Sequence, residues 1–313
     1  MTRCRIIPLR SLLAALLLIL MGACPSLGQD KKDVYTDPKD AGPSYALQGE
    51  YEGKFGEAKM GAQIVALGDD KFDLVLYHGG LPGDAGGGWK KGDKREKASG
   101  ALAEGVVTFK GEASPVLKEG SLTFDRGVLK KIERKSPTLG AKPPQGAVVL
   151  FDGKTNDFIN GETTEDGYLM ALGKGGQKSK YQFKKSFAFH LEFRTPFQPK
   201  ARGQGRGNSG VFLPGIPEIQ VLDSFGLEGK GNEAGGFYPN REPDVNMAFP
   251  PLTWQTYDVE MTMAQGDKES RVIVKHNGVV IHDQPASFKG GGGLNLQNHG
   301  NPVVYRNIWV VEK

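Results

Sequence analysis

Three short polar rows at period two carry the side chains best suited to chemistry. In the stretch 208–224, NSGVFLPGIPEIQVLDS, two strands hinge at Pro214-Gly215-Ile216-Pro217. The second strand sets Glu218, Gln220 and Leu222 against Ile219, Val221 and Asp223 on opposite faces. A carboxylate beside a carboxamide can hold a polyhydroxylated ligand, and it can equally be the solvated side of an antiparallel sheet. The second row is His190, Glu192 and Arg194, alternating with Phe187, Phe189, Leu191 and Phe193. The third is Asn295, Gln297 and His299, followed by Gly300, Asn301 and Pro302. Facing one side of a concave sheet, these rows would supply the donors and acceptors a sugar needs, with Trp254, Phe237 or Tyr238 as the aromatic platform. Each row also has a plainer use: Glu192 with Arg194 as a surface ion pair, Asn295 and Gln297 as ladder-side polar residues, His299 as a turn residue.

Other chemistries fit the residues less well. There is no GxSxG elbow, and Ser209 precedes a strand rather than a helix. The five His show no HExxH or other paired metal spacing. Glu218 and Asp223 point to opposite faces, which makes a poor retaining-glycosidase pair. A calcium site of Asp and backbone oxygens cannot be seen by spacing.

Elements that position these rows must be mostly strands. The chain has 45 Gly and 19 Pro and few long helical patterns, which favours a turn-rich all-β build in two domains. Arg3, Arg5 and Arg10, then an apolar run from Leu12 to Met21, predict a signal peptide over 1–28 and a protein exported to the periplasm or cell envelope. Ser26-Leu27-Gly28 suits ordinary cleavage; Met21-Gly22-Ala23-Cys24 suits a lipoprotein box, with Cys24 as the lipidated residue and the only tie to a membrane. No thiol then remains for disulfides, zinc or nucleophilic catalysis in the mature domains. Without residues 1–28 the net charge falls from +4 to +1, and no basic stripe with interleaved aromatics points to nucleic acid.

Residues 29–43 read as a disordered lead. A smaller β-rich accessory domain follows over 44–137, with strands at 48–55, 61–67, 71–77, 105–110 and 121–125. Its Gly-rich run 79–92 lacks a Gly-Lys-Ser/Thr ending and reads as a flexible loop carrying Trp89. The stretch 138–146, with Pro143 and Pro144, reads as a linker. Over 147–313, short strands at 147–151, 168–171, 182–183, 187–195, 255–263, 271–276, 279–282, 293–298 and 303–311 predict a two-sheet jelly-roll sandwich. Asn277-Gly278 marks a tight hairpin.

The segments LFDGKT (150–155), FHLEFRTP (189–196), NSGVFLPG (208–215), EIQVLDSFG (218–226), WQTYDVEM (254–261), VKHNGVVIHD (274–283) and LNLQNHGNPVVYRNIWV (294–310) resemble the bacterial 3-keto-disaccharide hydrolase family, also described as 3-keto-glucoside 1,2-lyase/3-keto-2-hydroxy-glucal hydratase. The resemblance spans nearly all of 147–313 and implies a concanavalin-like jelly roll. It does not cover 29–146. Two departures stand out: NDFING (156–161) where an aromatic is expected, and an insertion between Ser224 and Trp254 that includes Phe237-Tyr238-Pro239-Asn240-Arg241.

The activity it implies acts on a 3-keto-glycoside. A base removes the C2 proton, the C1 substituent leaves by elimination, and water adds back to the glucal. On the matching positions, the resemblance implies Glu218 and His299 as acid and base, with Arg194 holding the enolate as a fixed cation. Asn208, Gln220, Gln297 and Asn301 would then bind sugar hydroxyls. No cofactor is implied with certainty; a divalent metal is the other electrophile. The alternative is a non-catalytic carbohydrate-binding jelly roll of the cell envelope.

Overall fold

The computed structural model describes residues 33–84, 87–111, 114–159, 161–171, 176–266 and 268–313. The leader, with Cys24, lies outside the described residues. Eight strands come first: β1 (Gly49–Phe55), β2 (Ala58–Ala66), β3 (Lys71–His78), β4 (Arg95–Ala103), β5 (Val106–Phe109), β6 (Val116–Lys118), β7 (Ser121–Phe124) and β8 (Gly127–Ile132). Each pairs antiparallel with the next, and β8 returns to β1 through Tyr51↔Lys131, closing a barrel. Closure leaves no free sheet edge. Alternate residues point inward, so Tyr51, Ile64, Phe72, Leu74, Phe109 and Leu129 fill the interior. At one end Glu50, 2% exposed, accepts Arg134 Nε at 2.7 Å and Nη2 at 2.5 Å, pinning the chain where it leaves the barrel.

The sandwich follows with β9 (Val148–Phe151), β10 (Phe158–Ile159), β11 (Glu162–Thr163), β12 (Leu169–Met170), β13 (Gln177–Ser179), β14 (Phe187–Arg194), β15 (Ser209–Phe212), β16 (Ile219–Val221), β17 (Gln255–Thr262), β18 (Ser270–His276), β19 (Val279–Ala286), β20 (Asn295–Leu296) and β21 (Val304–Glu312). One sheet has the order β10-β13-β20-β15-β16; the larger runs β11-β12-β21-β14-β17-β18-β19, with β9 against β21. The fold is all-β: a jelly-roll sandwich preceded by a smaller β-barrel. Phe189, Phe193, Tyr257 and Tyr305 of the larger sheet pack onto Val211, Ile219, Val221 and Leu296 of the smaller one. Asn277 and Gly278, at φ 50° and 82°, make the β18–β19 turn, which needs two positive φ values.

Two sequence expectations change. The lead is ordered from residue 33: Tyr35 exchanges backbone hydrogen bonds with Phe197, and a helix α1 (Gly42–Leu47) packs beside β2. Aromatic anchoring by Tyr35 and Tyr45 on Phe197, at ring distances of 5.8 and 5.2 Å, outweighs the polar composition. The 138–146 stretch lies between barrel and sandwich and is tied to the sandwich: Gly140 N donates to Glu192, and Ala141 O accepts from Asn307 and Trp309. No strand forms at 182–183; Gln177–Ser179 is the strand there.

Candidate active site

The smaller sheet has an outer face that is polar by strand parity. Ile219, Val221, Val211 and Leu296 point into the core, so Glu218, Gln220, Gly210, Phe212 and Asn295 point away from it. The register aligns these residues in rungs. Gly210 pairs with Gln220 on one side, and its carbonyl accepts Gln297 N on the other. The next rung holds Phe212 against Asn295, with Glu218 beyond on the β16 side. The 235–238 segment then lies along β16: Gly235 N donates to Gln220 O, and Tyr238 N to Glu218 O. Phe237 bridges Ile219 and is buried, so Tyr238, 41% exposed, stands beside Glu218 on the outer face.

Gly210 is the floor of this arrangement. A Cβ there would lie 1.8 Å from Glu218 Oε1, so the Glu218 carboxyl leans over the glycine toward the middle of the sheet. Burial raises the Glu218 pKa to about 7. Its Oε1 is buried, and nothing among the described residues donates to it. Four neighbouring amide oxygens share that condition: Asn208 Oδ1, Gln220 Oε1, Asn295 Oδ1 and Gln297 Oε1. Asn208 and Gln220 are each 1% exposed. Five acceptors on one sheet face, without donors among the described residues, form a cradle for a ligand that brings hydroxyl groups.

The family model described as 3-keto-alpha-glucoside-1,2-lyase-like domain matches residues 146–311. The chain belongs to this family. Two solved structures from Parabacteroides distasonis, both described as a "putative glycosyl hydrolase", are similar to it. One is 29% identical, covering 54% of this chain and 85% of that one, at a TM-score of 0.48. The other is 18% identical, covering 54% and 94%, at a TM-score of 0.41. No curated protein matches the chain. As a member of the 3-keto-α-glucoside-1,2-lyase-like family, the chain is carbohydrate-active.

Other residues picked from the sequence of this lyase-like domain fall elsewhere. Arg194 is on the outer face of the larger sheet, opposite in parity to core-facing Phe193, so the whole core separates it from Glu218. Its guanidinium lies over Tyr168 and Trp254, at 5.3 and 5.1 Å. Arg194 therefore cannot hold an enolate formed at Glu218, and Trp254, also covered by Arg306 at 4.0 Å, packs against Arg194 rather than beside Glu218. Local alternation is identical in both sheets, which is why the rows looked alike. His190 and Glu192 share that outer face beneath the 138–146 stretch. Burial opposes the charge on Glu192, but His190, Asn307, Arg306 and the Gly140 N–H outweigh it and hold the pKa at about 2. Burial likewise lowers the His190 pKa, and hydrogen bonds to Asp258 and Glu192 more than reverse it.

Asn301 supports the cradle from behind, its Oδ1 accepting Asn208 N at 2.7 Å. His299 is exposed in the loop two residues beyond Gln297. Among the described residues no group of three or more His, Asp and Glu converges to hold a metal ion. Glu218 is the carboxylate of this oxygen set, and the four amide oxygens are spread along three neighbouring segments of the sheet. The sequence reading passed over Gly210 and Gln204. Gly210 sat in the quoted NSGVFLPG motif; Gln204 lies on a short 3-10 turn, where no strand periodicity marks it.

Proposed function

We propose that the chain cleaves 3-keto-glycosides by elimination and rehydration, with Glu218 as the base that takes the C2 proton. The carrying observation is a carboxylate at a pKa of about 7, buried at Oε1, unpartnered, and aimed over Gly210 amid four amide acceptors. A base near neutrality is half deprotonated at working pH while remaining strong enough to take a proton made acidic by the C3 ketone. As the C2–H bond breaks, its electron pair moves to the ketone oxygen, giving an enolate. When the enolate collapses, the C1–O bond breaks, the aglycone leaves as an alcohol, and an enone remains to which water adds at C1. Amide oxygens of Asn208, Gln220, Asn295 and Gln297 accept the sugar hydroxyls, and Tyr238 offers an aromatic face beside the base. We assign His299, exposed two residues beyond Gln297, to protonate the leaving oxygen, the role the family resemblance implies. The 1–28 leader supports placing this chemistry in the periplasm or cell envelope, with Cys24 lipidation as the anchor.

With Arg194 on the other sheet, no cation among the described residues is seen to pair with Glu218, whose pKa is raised by burial. That observation favours a second reading, a carbohydrate-binding jelly roll without turnover. Aglycone release from 3-keto-trehalose by the full chain, compared with Glu218→Gln, separates the two. Release lost in the variant while sugar binding persists supports the enzyme; saturable binding without release in both supports the binding module.

A further inference from the structure

Gln204, half-buried, touches both of the buried amides of the cradle. Its Oε1 accepts Asn208 Nδ2 at 3.0 Å and Gln220 Nε2 at 2.8 Å. Its own Nε2 donates to Asn232 O at 2.7 Å, which settles which way the Gln204 amide faces. Asn208 Nδ2 also donates to Gln204 O at 2.8 Å, and Gln220 Nε2 reaches Asn232 O at 3.4 Å. Both donor ends are thus consumed by Gln204 and Asn232 O, and both oxygens are buried with no partner among the described residues. Around Gly210 the ligand therefore meets oxygens, one of them on a carboxylate. Lys178 shares this sheet face through its pairing with Asn295, but it stands three strands from Glu218, about 14 Å at ordinary strand spacing.

We infer that Gln204 fixes the hydrogen-bond polarity of this cradle, so that it takes an uncharged, hydroxyl-donating glycoside and refuses an anionic one such as a hexuronoside. The inference rests on the carbohydrate reading of the site and adds the class of sugar and the residue that sets it. A hydroxyl can donate to each orphaned oxygen. A ligand carboxylate only accepts, so it would leave those oxygens unpaired and face the Glu218 charge. Gln204 is a positioning residue: it acts through Asn208 and Gln220.

The test is calorimetric titration of the full chain at pH 8 with methyl α-glucoside, its 3-keto derivative and methyl α-glucuronide. The neutral sugars are expected to bind at least about 100-fold more tightly than the glucuronide. Gln204→Leu should melt somewhat lower while staying folded, weaken neutral binding about 10-fold or more, narrow the preference, and leave the pH at which Glu218 titrates unmoved. Equal binding of glucuronide and glucoside, or wild-type binding by Gln204→Leu, overturns the inference while the carbohydrate reading stands. No binding by any sugar removes that reading and the inference with it. Should Gln204→Leu fail to fold, the preference of the wild type still decides.

Discussion

Gly210→Ala is the smallest change that reaches the proposed base without touching it. The backbone tolerates it, since the Gly210 φ is outside the left-handed range and the residue sits in a regular strand. The new methyl would lie 1.8 Å from Glu218 Oε1 and 2.6 Å from its Cδ. Relief to ordinary contact moves the carboxyl by about 1 to 2 Å, and a misplacement of that size costs roughly 100-fold in rate. This corresponds to about 2.7 kcal/mol of transition-state stabilisation. Pushed toward solvent, Glu218 loses the burial that holds its pKa at about 7, so the acid limb of the pH–rate profile should shift downward. The assay is kcat/KM on a 3-keto-glucoside from pH 4 to 9, with the melting temperature as a control. Unchanged turnover and an unchanged acid limb, in a protein that melts as before, would refute the placement of Glu218.

Other expectations follow from the same charges and contacts. Glu218 has a raised folded pKa, so its contribution to stability is full below the unfolded value near 4.3 and is lost as pH rises through about 7. Glu218→Gln should therefore be inactive yet more stable than wild type at pH 8, by about 1 kcal/mol after discounting for partial exposure, with the gain gone at pH 4; equal melting at both pH values would contradict this. Glu192 runs the other way: its depressed pKa stabilises above about 4.3 and fades as pH falls toward 2. Glu192→Ala leaves His190 and Arg306 without their buried partner and should cost about 3 kcal/mol by denaturant unfolding, while turnover per folded molecule stays constant. Tyr238→Ala should raise KM about 5- to 10-fold at unchanged melting temperature. Trp254→Ala should lower the melting temperature at unchanged KM; the reverse pattern for this pair would return the platform to Trp254.

The family segments and the period-two alternation made the sandwich and the polar identity of Glu218, Gln220, Asn295 and Gln297 legible in the sequence. The sheet to which each strand belongs was not legible, because that depends on pairings between distant strands. His190-Glu192-Arg194 and Glu218-Gln220 carry the same local pattern, and only the register of β14 with β17 and β21 sends the first row to the opposite side. β4 was missed because REKASGALA offers few β-branched or aromatic residues; barrel closure recruits it through its β3 partner. Gln204 was hidden for a related reason, since its role depends on Asn208 and Gln220 converging on one amide.

The most direct test of the account is to follow the C2 position itself. Wild type and Glu218→Gln would be incubated with a 3-keto-glucoside in deuterated water, and C2 labelling and aglycone release read by NMR. The account predicts aglycone release with deuterium at C2 of the product for the wild type. The variant should still bind the glucoside but show neither. Release without C2 labelling, or turnover surviving in Glu218→Gln, would contradict it.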